Sequence, residues 1–158
     1  MRPRRIPRRL RSRVDIDYVG FDPNPKYISS ARVRFSDADL YIGTTESVRD
    51  DVTGTFDLAV AMGVLHHVDD ETAEAIAEFA HSKLHEGGRF LTIDPVLLDR
   101  QHPVARVLTR LDRGKHVRRL HQYQELIAGR FGRDAVTTTA ESGWLRVPYN
   151  HAVVIAVR

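Results

Sequence analysis

The stretch "FDLAVAMGVLHHVDDETAEAIAEFAHSKLHEGGRFLTIDP", residues 56–95, limits the folds open to this chain more than any other part of it. It begins with a near-continuous apolar run, Phe56 to Met62, which suits a strand covered on both faces. A helix follows. Asp69 or Asp70 can cap its start, Glu71 complements the dipole, and Ala73, Ile76, Ala77, Ala80 and Leu84 form one apolar stripe. Gly87 and Gly88 read as the helix end, and Arg89 to Pro95 as a second apolar strand closed by an acidic residue and proline. Two apolar strands joined by an amphipathic helix form a crossover unit, the building block of an open, mostly parallel α/β sheet.

The flanks extend this pattern. Val14 to Asp22 reads as a strand punctuated by Pro-Asn-Pro, and Pro25 to Phe35 as a helix with Tyr27, Ile28, Ala31 and Phe35 on one face. Ala38 to Gly43 is a further short strand. Beyond Pro95, residues 96–119 read as basic and irregular, and "HQYQELIAGRF" as a helix. "DAVTTTAES" and "HAVVIAVR" read as two strands joined by a long loop containing "WLRVPYN", and without a helix between them they are expected to be antiparallel. The expected architecture is a Rossmann-like open sheet with helices on both faces.

A length of 158 residues suits one domain, and no apolar run approaches the length of a membrane span. No apolar signal-peptide region follows the basic start, and the absence of cysteine excludes disulfides and thiolate metal sites, so a cytoplasmic location is the default. The formal charge of +3 is concentrated at one end. Residues 2–13, "RPRRIPRRLRSR", hold seven of the 24 Lys and Arg and no acid, which leaves 17 against 21 Asp and Glu, a net of −4, in the rest. Without interleaved aromatics or a recognisable module, this arm gives little support to nucleic-acid binding. It is expected to be a disordered tail, with residues 14–158 forming the domain.

Residues 56–95 resemble the fourth-to-fifth-strand region of class I S-adenosylmethionine-dependent methyltransferases. The shared pattern is a strand opening Phe-Asp, a Leu-x-His turn with a following acid, a helix, Gly-Gly and another apolar strand. "YVGFDPNPKYISSAR" resembles that family's second strand. "DRGKHVRRLHQYQELIAGRF" and "LRVPYNHAVVIAVR" resemble the C-terminal part of its bacterial small-molecule members, so the resemblance spans roughly residues 14–158. It implies S-adenosylmethionine as cofactor and a small-molecule acceptor.

The family's first strand and Gly-x-Gly-x-Gly turn have no counterpart, since the first glycine is Gly20, already inside a strand. The fold expected from the resemblance is therefore a methyltransferase sheet lacking its central strand, as in an N-terminally truncated or frameshifted member. The arginine-rich arm is a poor substitute, because Pro3 and Pro7 cannot donate ladder bonds and buried unpaired guanidinium groups cost several kcal/mol or so each. The expected outcomes are direct pairing of the flanking strands, a homo-oligomer or partner chain that completes the sheet, or a marginal fold.

The resemblance also assigns candidate residues. Asp22, at a strand end before Pro23, would hold the ribose hydroxyls, with a helix-capping role as the plainer alternative. Thr44 or Thr45 stands where the family carries an acid facing the adenine. Met62 and Gly63 would line the cofactor pocket, although Met62 suits a core position equally. His67 is the candidate general base, since imidazole titrates near working pH. Adjacent His66 and His67 point in different directions and make a poor metal pair, and no metal is expected. Asp94 either faces the acceptor or ends its strand. Arg113, Lys115, His116, Arg118 and Arg119 form a cationic cluster that could meet an anionic acceptor, and Tyr149 is expected to pack at the sheet edge. The expected activity is methyl transfer to a small molecule, impaired by loss of the glycine turn. The alternative is a non-catalytic truncated relative or partner subunit.

Overall fold

The computed structural model describes residues 16–101, 103–110, 114–142 and 150–158. The arginine-rich arm, Arg113 and Tyr149 lie outside the described residues. The chain divides into two compact units, residues 1–53 and 54–158.

In the first unit, β1 (Val19–Asp22) and β2 (Asp39–Ile42) form a parallel two-stranded sheet, with α1 (Pro25–Arg32) as the crossover. Pro25 occupies the first turn of α1, where its missing N–H is not needed, and Asn24 Oδ1 caps the helix by accepting from Lys26 N at 3.0 Å. Ile28, Leu40, Val48 and Val52 are the buried apolar residues. The helix ends three residues earlier than its apolar spacing suggests, and Arg32 instead donates from Nη2 to Leu40 O at 2.7 Å.

The second unit carries a larger sheet. β3 (Phe56–Met62) lies parallel to β4 (Leu84–Leu97), β7 (His151–Val157) is antiparallel to both β4 and β6 (Val136–Glu141), and the short β5 (Arg118–Arg119) pairs with the end of β4. Among the described residues β1 pairs with β2, and β3 pairs with β4. The mostly parallel α/β sheet with an antiparallel C-terminal strand pair agrees with the sequence reading.

Three features differ from expectation. The helix after β3, α2 (Asp70–Lys83), stops before Gly87 and Gly88, because β4 begins at Leu84 and the glycines lie inside it. They serve a register jump. Phe56 pairs with Leu84 but Leu58 with Arg89; Gly87 there adopts φ +80°, and a Cβ on Gly88 would lie 2.9 Å from His85 O and 3.0 Å from Phe56 O. Second, the stretch read as irregular contains α3 (Pro103–Arg110).

Third, among the described residues of this unit, α2 and α4 both pack on one face of the sheet. Ala73, Ala77 and Ala80 of α2, with Tyr123, Ile127 and Phe131 of α4 (Leu120–Phe131), join Ala61, Phe90, Val96, Val136, Ala152, Val154 and Ala156 in one core on one face. The registers place Leu58, Val60 and Met62 of β3 in rows with Leu91 and Ile93 of β4 and Val153, Ile155 and Val157 of β7 on the other face. Leu58 and Val60 remain 47% and 46% exposed there.

Candidate functional site

In the first unit the candidates gather at the carboxyl ends of the parallel pair, where open α/β sheets place their ligands. Asp22 ends β1, and Gly43 N donates to Asp22 O at 3.2 Å, so the two strand ends are tied together with Thr44 immediately beyond. Asp22 Oδ1 accepts from Asn24 N at 2.7 Å; Oδ2 has no hydrogen-bond partner among the described residues. Asp22 thus orders the turn into α1, while the helix cap itself falls to Asn24. Pro23 is exposed. Thr44 is exposed as well, its N–H donating to Ser47 Oγ at 2.9 Å and its Oγ1 accepting from Ser47 N at 3.4 Å.

In the second unit Met62 ends β3, half-buried on the face away from the helices. Gly63 follows with φ +66°, a left-handed conformation that suits glycine, and its N–H donates to Ile93 O at 2.8 Å. The chain then makes a single helical turn, Leu65–His67, where the two imidazole rings lie against each other with centroids 3.9 Å apart, contrary to the expectation that they point in different directions. His67 is exposed. His66 is 2% exposed, and its Nδ1 lies 2.7 Å from Oδ1 of Asp94, itself 1% exposed. The same oxygen accepts from His66 N at 3.2 Å. With Oδ1 already accepting from His66 N, its contact with the ring assigns the His66 proton to Nδ1.

Asp94 therefore neither simply ends its strand nor stands open to an acceptor. It lies within β4, on the helical face with Phe90 and Thr92, and anchors the histidine turn. Its Oδ2 is buried without a partner. Tyr123 packs nearby, its hydroxyl donating to Pro95 O at 3.0 Å; burial, and then the charge of Asp94, hold the phenol well above its ordinary pKa.

The cationic cluster is largely committed internally. Arg118 is 6% exposed and spends its guanidinium on Asp70, Leu65 O, Val68 O and His116 O. Arg119 pairs with Asp99, beside a cavity of about 130 Å³ also lined by Leu97, Leu98 and Arg106. Lys115 is exposed, and His116 N donates to His66 O at 3.0 Å. The His66–Asp94 pair escaped the sequence reading. The signal available was that both residues follow or end adjacent parallel strands, whose carboxyl ends come together.

A family model described as a methyltransferase domain matches residues 5–90, more than half of the chain. The chain belongs to the methyltransferase-domain family. The match begins inside the arginine-rich arm, nine residues before the start of the resemblance drawn from motifs. No curated protein matches the chain. Among solved structures, it is similar to the S-adenosylmethionine-dependent methyltransferase SibL in its apo form, with 19% identity and TM-score 0.70 over 90% of this chain and 43% of that one. It is also similar to human N-acetylserotonin methyltransferase in complex with SAM, with 18% identity and TM-score 0.64 over 90% of this chain and 40% of that one. A pericyclic reaction enzyme is a third, with 15% identity and TM-score 0.71 over 98% of this chain and 40% of that one. Identities this low establish a shared fold. The methyltransferase-domain chain spans less than half the length of each of these proteins.

Proposed function

We propose that the chain binds S-adenosylmethionine and takes part in methyl transfer to a small-molecule hydroxyl. The family match carries this reading, and the strand-end chemistry supports it. Asp22 Oδ2 would accept from the ribose hydroxyls, and Thr44 carries a hydroxyl at the neighbouring strand end. Gly63 turns the backbone without a side chain, and Met62 offers a polarisable thioether beside it. Each unit, taken by itself, offers these groups to the cofactor.

When bound, the cofactor supplies an electrophilic methyl group on a sulfonium sulfur. The chain's own work is then alignment and proton removal. His67, exposed on the turn after β3, would accept the proton of the acceptor hydroxyl. His66 cannot reach an acceptor from its buried position, so with Asp94 it anchors the turn that presents His67.

The test is incubation with methyl-labelled S-adenosylmethionine and a panel of small phenols and alcohols, with products read by mass spectrometry. Label should move to an acceptor, and His67→Gln should slow transfer by roughly 10²–10⁴-fold while cofactor affinity stays the same. Tight cofactor binding with no label transferred would favour the non-catalytic alternative. Loss of transfer in a folded His66→Gln variant, with His67→Gln unaffected, would move the proton-accepting role to His66.

A further inference from the structure

We propose that Arg118 is a positioning residue, whose buried guanidinium fixes the Leu65–Val68 turn and, through it, the orientation of both histidines. The role rests on the reading of His67 as proton acceptor.

Burying a guanidinium is costly unless each of its donors finds an acceptor. Arg118 meets that condition. Nε donates to Asp70 Oδ1 at 2.8 Å, Nη1 to Leu65 O at 2.6 Å and His116 O at 3.2 Å, and Nη2 to Val68 O at 3.0 Å, with Nη2 also ion-paired to Asp70 Oδ1 at 2.6 Å. Three of the four acceptors lie on the turn or on the first residue of α2. The turn is held at its other backbone groups too. His66 N donates to Asp94, and His66 O accepts from His116 N.

Gly114 completes the enclosure. A Cβ at that position would lie 2.2 Å from Cδ2 of His66 and 2.6 Å from His66 O, so the backbone can press against the ring only because the residue is glycine. A short turn at a strand end needs no such investment for stability alone, since its carbonyls could face water. Groups brought from β4 and from residues 114–118, some fifty positions along the chain, suit a turn whose side chains must keep one orientation. Lysine could not replace the guanidinium, because three donors on one nitrogen cannot span two carbonyls and a carboxylate in this fork.

The test reads the imidazole of His66 in the ¹⁵N-labelled full chain by long-range ¹H–¹⁵N correlation, assigned by its loss in His66→Gln. The wild type should show one tautomer, protonated on Nδ1. Arg118→Lys should give averaged tautomers while the amide spectrum of the sheet is retained; a single Nδ1–H tautomer in that variant overturns the proposal. Should Arg118→Lys not fold, Gly114→Ala decides by the same two outcomes. Ala128→Gly, in the interior of α4, controls for general loosening: it should lower the melting temperature and leave His66 unchanged, and averaged tautomers there also overturn the proposal. Absence of methyl transfer by a wild type that shows the predicted His66 behaviour ends the reading of His67 and supports the clamp as a feature in its own right.

Discussion

Asp94 is a buried carboxylate with one oxygen shared by two donors of His66 and the other with no partner. Such a group is tolerable only while its partner stays. Removing one side of the pair strands a buried polar group, so Asp94→Ala should lower the unfolding free energy by about 3–5 kcal/mol in urea titrations. A loss within experimental error would show that the pair does not anchor the turn. Tyr123→Phe should cost about 0.5–1.5 kcal/mol, the net worth of its bond to Pro95 O. At the opposite end of the strands, His85 places Nε2 2.8 Å from Asp57 Oδ1 and Nδ1 2.6 Å from Glu86 O. The bond to Asp57, then that to Glu86 O, raise its pKa above 6.5. The stabilisation it contributes is complete below the unfolded value and is lost as pH rises through the higher folded one. An NMR titration should place His85 above 6.5 and Asp57→Asn should move it down; a pKa at or below 6.5 in the wild type contradicts the contact. The sequence reading had His66 and His67 pointing apart, whereas their rings lie 3.9 Å centroid to centroid, and it did not show which is buried. That depends on Asp94, 28 residues on, and on the pairing of Met62 with Ile93, which no local pattern prints.

At the scale of elements, the strands and main helices were legible because each has a strong apolar period, and the order strand, helix, strand admits few arrangements. Boundaries were less so. Gly87 and Gly88 resemble a helix terminator, whereas here they let β4 absorb a register jump against β3, a requirement set by the neighbouring strand. Gly88→Ala should therefore destabilise the protein by about 1–3 kcal/mol, since both carbonyls that its Cβ would meet belong to backbone. Thermal unfolding measures this, and an unchanged midpoint would mean that the close approach is relieved easily. α3 was missed because it is short and carries three basic or hydroxyl residues among its apolar ones, so its period is brief. The candidate site was legible as a set of strand ends, since Asp22 and Thr44 share one end and Met62 and Gly63 another. Arg118 was visible only as charge. Its role depends on carbonyls of Leu65 and Val68 that the sequence does not display.

At the scale of the molecule, the 54–158 unit has one sheet face packed by α2 and α4 and another on which Leu58, Val60, Ile155 and Val157 stay substantially exposed. The apolar character of β3 suggested cover on both faces, and within this unit α2 and α4 cover one of them. A contiguous apolar face of this kind should bind the dye ANS in the native state. Val60→Lys with Ile155→Lys should reduce that binding with little change in melting temperature; no dye binding by the wild type would show the face to be covered. The functional account depends on the strand ends more than on this face. Isothermal titration of the whole chain with S-adenosylhomocysteine, repeated with Asp22→Ala, tests it most directly. The account predicts binding in the micromolar range for the wild type and its loss in the variant; a folded wild type that takes up no ligand would contradict it.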